Sequence, residues 1–355
     1  MTATCVLDHL RGTYRSIYIE PCQDRIKKHH HTPITNHSTN TSYYKAIDSH
    51  HQQHLADMSA MSKVAVAGAA GRVGSVILNQ LVEDGFKVTV LNRKGSDHSY
   101  PSAVAVVEVD YESPETLVKA LEGQDAVISA VGFAGLTQQI PLIHAAVKAG
   151  VKRFLPSEYG GDAENPKALS LAPFQGKKAV SDLIKKEAAA GNITYTLVST
   201  GPFLDMALRL GLFADIKNKT IRLWDGGDQP YTTTTLASTA KAISEVLKHP
   251  EETKNRNVFV RSTTLTQKAL LEKLKKATGP EGWKVETPST SEALKKAVTN
   301  LEKGEIDRLA FIAVVIWAEG YGGYFEKVDN ELLGIKELDD AELQNLIDGI
   351  VKEVQ

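Results

Sequence analysis

A glycine-rich turn near residue 70 has the residue types and the spacing to bind a phosphate group. Gly68, Gly71 and Gly74 follow the apolar run Val64–Ala67 and open a helical pattern of apolar residues. In such turns the first glycine permits the tight bend, the second lets backbone N–H groups approach a pyrophosphate, and the third lets helix and strand pack closely. The helix N-terminus also attracts an anion. The pattern predicts a bound dinucleotide rather than a ligand-free connection, with these contact residues: Gly68, Ala70, Gly71, Arg72, Val73 and Gly74.

Two cations after the next strand indicate which dinucleotide is bound. The strand predicted at Val88–Leu91 is followed by Asn92, Arg93 and Lys94, and no acidic residue stands at its end. An acid at this position binds the ribose 2′-hydroxyl of NAD, whereas an arginine accommodates the 2′-phosphate of NADP. We therefore predict NADP(H), with Arg93 as the main phosphate partner and Lys94 or Arg72 as a helper. The alternative is that Arg93 and Lys94 are only solvated loop charges.

Other candidate binding residues follow the later predicted strands. Gly132 comes after the fourth strand and Phe203 after the sixth, and both are predicted to lie beside the cofactor. Ser157 and Tyr159 come after the fifth strand and are predicted to contact a substrate. Ligands of open α/β sheets bind at the carboxyl ends of the strands, which is where all four residues fall. The alternative for Ser157 and Tyr159 is an ordinary turn from strand to loop.

The elements that must position these residues alternate between strand and helix. This order predicts an α/β protein with a Rossmann-like, doubly wound parallel sheet. We predict an NAD(P)-binding domain over 58–203 and a substrate-binding region over 204–355, with elements at about 236–260 returning to the Rossmann sheet. The aromatic and glycine residues at 320–325 either line a planar substrate pocket or cover the core.

The first 57 residues differ in composition from the rest of the chain. They hold eight of the 11 histidines and are rich in Asn, Thr, Ser and Gln, with little aliphatic periodicity. Such a segment cannot bury enough apolar surface to offset its chain entropy. We predict that residues 1–57 are a disordered N-terminal extension, or that they lie upstream of the true start at Met58 or Met61. Because the histidines lack the paired spacing of a structural zinc site, no metal is predicted.

Composition limits the partners and the compartment. The 355 residues carry a net charge of −2, which gives no basic surplus for nucleic acid or an anionic membrane. No apolar run approaches the roughly 20 residues of a membrane-spanning helix. The two cysteines, Cys5 and Cys22, precede the first strand, and a chain otherwise free of cysteine fits a reducing compartment. We predict a cytoplasmic monomer or homodimer that acts on a small molecule.

Four segments of the chain together resemble a known family. Val64–Gly74, Gly150–Gly160, Lys177–Val180 and Tyr195–Phe203 resemble the NmrA-like, isoflavone-reductase-like branch of the atypical short-chain dehydrogenases, and within it the fungal oxidoreductases. The glycine pattern alone is generic, but its combination with the sequence LPSEYG is specific. The resemblance extends over roughly Met61–Trp283. It implies a Rossmann domain with a smaller C-terminal α/β substrate domain, NADPH as cofactor, and reduction of a small aromatic or conjugated compound.

The resemblance also implies a catalytic lysine. Reductases of this family carry a lysine in a K-x-x-V or K-x-x-I pattern, and Lys177 with Val180 matches it, although a register shift of one residue would select Lys178. The chain departs from the family at Ser181 and Asp182, where two arginines are common, and this departure concerns the substrate more than the fold. The Tyr-x-x-x-Lys pair of typical short-chain dehydrogenases is absent from the sequence. A solvated lysine on an amphipathic helix is the alternative reading of Lys177.

Together these features predict an NADPH-dependent reductase with Lys177 as acid/base. Hydride transfer leaves negative charge on an oxygen or its conjugated partner, and a lysine beside the reacting atoms can donate a proton or stabilise that charge. The main alternative is a redox-sensing regulator of the NmrA type, which binds NADP(H) and acts through a protein partner without turnover. The lysine favours the enzyme because a sensor has no need of it.

Overall fold

The structure, a computed structural model, describes residues 61–355. The predictions for 1–57 and for a start at Met58 therefore lie outside the described residues. The α-helices are α1 (Arg72–Glu83), α2 (Pro114–Leu121), α3 (Gln139–Lys148), α4 (Pro166–Ser170), α5 (Gln175–Ala189), α6 (Leu204–Arg209), α7 (Leu236–Lys248), α8 (Gln267–Thr278), α9 (Thr290–Glu302), α10 (Arg308–Trp317) and α11 (Asp340–Val354). The strands are β1 (Lys63–Ala67), β2 (Lys87–Arg93), β3 (Ala105–Val109), β4 (Ala126–Ser129), β5 (Arg153–Leu155), β6 (Thr194–Ser199), β7 (Ala214–Asp215), β8 (Thr220–Arg222), β9 (Tyr231–Thr233), β10 (Arg256–Phe259), β11 (Thr263–Leu265) and β12 (Lys284–Glu286).

Seven of these strands form one parallel sheet in the order β10-β6-β5-β4-β1-β2-β3. The order reverses direction between β1 and β4, and this switch point is where open α/β sheets bind their ligands. The prediction of a Rossmann-like doubly wound sheet is confirmed.

Helices cover both faces of the sheet, and the side chains of β1 alternate between the two cores. Val64 and Val66 pack with apolar residues of α1 and α7 on one face. Ala65 and Ala67 pack with apolar residues of α2, α3 and α5 on the other face. Since successive side chains of a strand point to opposite faces, a strand buried on both faces is apolar throughout. This explains the unbroken apolar run that precedes the glycine turn.

The second half of the chain adds elements to the central sheet and its helices, and it also forms a third hydrophobic core. Helix α7 packs on α1, and β10 extends the central sheet beside β6, so the residues predicted to return to the Rossmann sheet lie there. The rest forms a third core around α6, α8, α10 and α11, with a small sheet of β7, β8 and β12 and a two-stranded ladder of β9 and β11. This second region stands at the end of β6, next to the carboxyl edge of the sheet.

Within the aromatic and glycine segment 320–325, Phe325 and Gly323 pack against the core. The N–H of Phe325 donates to the Thr232 hydroxyl at 2.9 Å, and its ring packs edge-on against Phe259 with centroids 5.0 Å apart. A Cβ at Gly323 would come within 2.0 Å of the Ile316 carbonyl oxygen, so glycine is required for this close approach. Of the two alternatives for this segment, the structure supports packing.

A buried arginine ties β5 to the neighbouring elements. The Arg153 guanidinium donates to the hydroxyls of Thr194 at 2.7 Å, Thr196 at 2.9 Å and Thr253 at 3.2 Å, and to the Pro250 carbonyl at 2.6 Å. All four partners are neutral, and burial lowers the pKa of Arg153 to about 10. The network holds β5, β6 and the loop before β10 in register.

Replacing Arg153 with methionine is expected to lower the free energy of unfolding by about 1–3 kcal/mol, because the buried carbonyl of Pro250 loses its donor. Chemical denaturation of the full chain measures this loss. The matched control is Lys152→Met, whose exposed ammonium pairs with Asp125 at 2.9 Å and contributes about 0–1 kcal/mol. Equal stability of the two variants would show that the buried network is not stabilising.

Candidate active site

The turn between β1 and α1 requires glycine at Gly68 and Gly74 and is tight at Gly71. Gly68 has a φ of +79°, and a Cβ there would lie 2.7 Å from the Ala130 carbonyl oxygen. A Cβ at Gly74 would lie 2.1 Å from the Gly68 carbonyl oxygen, and one at Gly71 would lie 3.2 Å from the same atom. No described side chain caps the start of α1, so its first N–H groups face the space beyond the turn. The turn thus has the form that a pyrophosphate needs.

A groove of about 270 Å³ runs over this turn and past the carboxyl ends of β2 and β4. Its walls include Gly68, Ala70, Gly71, Arg93, Tyr100 and Gly132. The groove lies at the switch point of the sheet, where a doubly wound fold places a dinucleotide. The fit of the glycine turn and the position of the groove agree with the predicted cofactor site.

Arg93 and Lys94 are neighbours at the carboxyl end of β2 but differ in their position relative to the groove. Arg93 lines the groove, whereas Lys94 is not among the lining residues and its N–H donates to the Val109 carbonyl at 2.9 Å. The loop that follows is held over the groove by the Tyr100 hydroxyl, which donates to the Asn92 side chain at 3.0 Å. No carboxylate lines the groove in the described part of the chain. The geometry therefore favours Arg93 over Lys94 as the phosphate partner.

A second cavity, of about 570 Å³, lies further along the same edge of the sheet. We call it the chamber. It is bounded by the ends of β5 and β6, by α6, by β7 and β8, and by α10, and its walls include Tyr159, Phe203, Met206, Trp224, Ile316 and Trp317. The Trp224 and Trp317 rings stack with centroids 6.3 Å apart and planes 12° apart, so this part of the chamber wall is aromatic. Such a wall suits a planar apolar ligand.

Tyr159 and Phe203 are buried residues of the chamber wall, in the segments that follow the adjacent strands β5 and β6. The Tyr159 hydroxyl is buried and has no hydrogen-bond partner among the described residues. Burial, with the nearby Glu158 carboxylate as a second cause, raises the pKa of Tyr159, so the phenol stays protonated. Both residues were predicted at this edge and both line the chamber, whereas neither is among the residues that line the groove, so the predicted contact of Phe203 with the cofactor stays a prediction.

Lys177 lies on the first turn of α5 and points at the turn that carries Tyr159. Its ammonium donates to the Glu158 carbonyl and lies 3.3 Å from the Glu158 carboxylate. The Lys177 side chain is 15% exposed and that of Glu158 is buried. Burial raises the pKa of Glu158, and the Lys177 ammonium opposes that shift. Lys177 and Glu158 are not among the residues that line the chamber; they line a small separate cavity of about 30 Å³, and Glu158 is the chain neighbour of Tyr159 in the chamber wall.

The neighbouring lysine has a different environment. Lys178 is 47% exposed, and its ammonium pairs with Asp182 at 2.5 Å on the outer face of α5. Asp182 is one of the two positions where the family commonly has an arginine. Because the chain has an aspartate there instead, Lys178 has an acidic partner four residues later on the same helix. Of the two lysines, only Lys177 turns inward.

Ser157 joins the ends of β4 and β5. Its hydroxyl donates to the Val131 carbonyl at 2.8 Å, and its N–H donates to the Gln139 side chain at 2.8 Å. Ser157 is not among the residues that line the groove or the chamber. Its predicted contact with the substrate stays a prediction, and its visible role is to hold the two strand ends together.

Comparison with known proteins identifies the family. The sequence model described as the NmrA-like family matches residues 60–331. The chain belongs to the NmrA-like family. Oxidoreductase aprR of Aspergillus flavus is 35% identical over 281 residues, which is 77% of this chain and 94% of that protein. Oxidoreductase poxI of Penicillium oxalicum is 32% identical over 287 residues, which is 77% of this chain and 90% of that protein. The prediction of an oxidoreductase of the fungal branch is confirmed.

Solved structures share the NmrA-like fold. The binary complex of leucoanthocyanidin reductase with NADPH from Vitis vinifera superposes with a TM-score of 0.67 at 18% identity. The match covers 82% of this chain and 99% of that chain. At this identity the likeness establishes the fold alone.

Other classes of site are not visible in this NmrA-like protein. Within residues 61–355, no group of three or more His, Cys, Asp or Glu side chains is arranged to hold a metal ion. In the same part of the chain, no helix is both long and apolar enough to cross a membrane.

Several walls of the chamber were missed by the sequence analysis. Trp224, Met206 and Trp317 come from three elements spread over more than a hundred residues, and their contact depends on how α10 packs against β8 and α6. The available signal was the apolar helix that ends at Trp317 beside a glycine cluster. The sequence left open whether the pocket wall lies at the glycines of 320–325, and the structure places the wall one helix earlier, on α10.

Proposed function

We propose that this protein is an NADPH-dependent reductase of a small conjugated or aromatic substrate, with Lys177 as its acid/base. The observation that supports this most strongly is that two cavities lie at the same carboxyl edge of the central sheet. A groove lined by the glycine turn and Arg93 lies at the carboxyl ends of β2 and β4, and a chamber lined by Trp224 and Trp317 lies at the ends of the neighbouring strands β5 and β6. A cofactor in the first and a planar compound in the second would meet at Tyr159 and Phe203.

The residues of the groove fit NADPH, which supplies a hydride when bound. The backbone from Gly68 to Gly74 would hold the pyrophosphate, with Ala70, Arg72 and Val73 contributing N–H groups or wall atoms. Arg93 would pair with the 2′-phosphate, because a guanidinium matches a phosphate bidentately. Gly132, at the end of β4, would leave room for the ribose, and Phe203 would pack near the nicotinamide side.

Lys177 would supply the proton that the reduced substrate takes up. In this role its Nζ exchanges the bond to the Glu158 carbonyl for one to the developing oxyanion. The buried carboxylate of Glu158, 3.3 Å away, favours the charged ammonium before the proton leaves. The apolar walls exclude water, which strengthens both interactions. Ser157 and Tyr159 would orient the substrate from the adjacent turn.

The test combines binding and turnover on the full chain. Binding of NADPH and NADH is measured by calorimetry, and NADPH oxidation is then followed with a panel of conjugated aromatic ketones, aldehydes and quinones. We expect a preference for NADPH and oxidation with at least one compound class. NADPH binding without oxidation by any class, together with capture of a protein partner that depends on the cofactor's redox state, would favour the regulator of the NmrA type instead.

A further inference from the structure

Large apolar side chains are exposed at the mouth of the chamber. Leu212, in the loop after α6, is 47% exposed, and Leu309, on the first turn of α10, is 57% exposed. Both line the chamber. They come from two elements that meet only in the folded chain, and because each is both exposed and part of the lining, the apolar surface of the chamber continues outward onto the protein surface. Contiguous exposed apolar surface of this kind marks a binding site.

The chamber is too large for a single ring. A cavity of about 150 Å³ is enough to bind benzene, whereas the chamber measures about 570 Å³. A compact conjugated head at Tyr159 and Phe203 would leave most of the space between there and the mouth unfilled. A ligand that fills it must carry further apolar mass in the direction of Leu212 and Leu309.

The charged groups of the chamber already have protein partners. Arg222 pairs with Glu286 at 3.0 Å. Asp215 accepts from the Asn218 side chain at 2.8 Å and from its N–H at 3.0 Å, and these bonds lower the pKa of Asp215. The lining therefore offers neither a cation nor an anion that lacks a partner. A charged substituent would gain no ion pair here, so the additional mass is uncharged.

We propose that the substrate is elongated, with its conjugated head at Tyr159 and Phe203 and an uncharged hydrocarbon tail that leaves the chamber between Leu212 and Leu309. This inference rests on the proposed reductase function and specifies its substrate class. The tail is the occupant that the geometry favours, because the exposed leucines are continuous with the chamber lining rather than with a separate surface. The residues that set tail length are Leu212 and Leu309.

The chain offers two matched controls. Leu210 is 46% exposed and lies two residues before Leu212, and Ile306 is 53% exposed and lies three residues before Leu309. Neither lines the chamber. Substitution of these two residues by serine removes the same amount of exposed apolar surface from the same segments without touching the proposed tail path.

The test uses cinnamaldehydes with para-alkyl chains of increasing length, each bound to the full chain in the presence of NADP⁺. Binding is followed by quenching of tryptophan fluorescence, because Trp224 and Trp317 line the chamber. For the wild type we expect affinity to rise with chain length, by up to about fourfold for each methylene that becomes buried. Leu212→Ser and Leu309→Ser should reduce the ratio of affinities between the longest and shortest compounds, whereas Leu210→Ser and Ile306→Ser should retain it.

The proposed tail would be contradicted if the affinity of the wild type did not depend on chain length. It would also be contradicted if the control variants reduced the ratio of affinities as much as Leu212→Ser and Leu309→Ser do. The tail would also be contradicted if Leu212→Ser and Leu309→Ser kept the length dependence but lost binding to phosphatidylcholine vesicles or changed oligomeric state. In that case the leucines would contact a membrane or a second copy of the chain. The reductase proposal is judged separately. If affinity rises with chain length but no compound oxidises NADPH, the proposal of a hydrocarbon tail is supported and the reductase proposal is contradicted. If a compound oxidises NADPH but affinity does not depend on chain length, the reductase proposal is supported and the tail is contradicted.

Discussion

Exchange of Lys177 for methionine is expected to lower kcat for substrate reduction by about 10²–10⁴-fold, the usual contribution of a positioned acid/base. Methionine keeps most of the length and apolar volume of the side chain but has no proton to donate. The affinity for NADPH should stay within about threefold, because Lys177 is not among the residues that line the groove. Steady-state kinetics with the best substrate of the panel and calorimetry with NADPH measure the two quantities.

The same exchange leaves the buried carboxylate of Glu158 without its cation, so a loss of stability accompanies it. Burial raises the pKa of Glu158 above its unfolded value. In that case the folded state binds the proton more tightly, and the free energy of unfolding falls as the pH rises from the ordinary glutamate pKa to the raised one. The stability loss of the Lys177→Met variant should therefore be smallest in acid and largest at neutral pH, as thermal unfolding across this range would show.

Two further variants separate catalysis from stability. Lys178→Met removes an exposed ammonium from the same helix and should leave kcat within about twofold. The double variant Lys177→Met with Glu158→Gln replaces the isolated carboxylate with a neutral amide, and it should recover stability without recovering kcat. Recovery of both would mean that Lys177 only positions the turn that carries Tyr159.

The first β-α-β unit could be predicted because its signals are local. The apolar run Val64–Ala67, three glycines and a periodic helix lie within thirty residues, and each has one physical cause that the structure displays. The carboxyl ends of parallel strands lie on one edge by necessity, so Gly132, Tyr159 and Phe203 could be placed at that edge without knowledge of tertiary contacts.

The chamber could not be predicted in the same way, because its walls depend on long-range packing. Strand β12 pairs with β8, which lies about sixty residues earlier, and no local pattern specifies that pairing. Likewise, the sequence contains Lys177 and Glu158 but does not show that one donates to the backbone of the other. Ser157 illustrates the opposite case: its type and position suited a ligand, yet its hydroxyl is already bonded to Val131.

Exchange of Arg93 for alanine is expected to weaken NADPH binding by about 10- to 150-fold, the loss of a charge-assisted bond worth about 1.5–3 kcal/mol, and to leave NADH binding nearly unchanged. Arg93 lines the groove and is exposed, so the loss should shrink as salt screens the pair. Lys94→Ala removes the adjacent cation and should change NADPH affinity by at most about threefold. Calorimetric titration with both cofactors measures these ratios. Equal losses for NADPH and NADH would place Arg93 on the pyrophosphate shared by both, because only the 2′-phosphate distinguishes them.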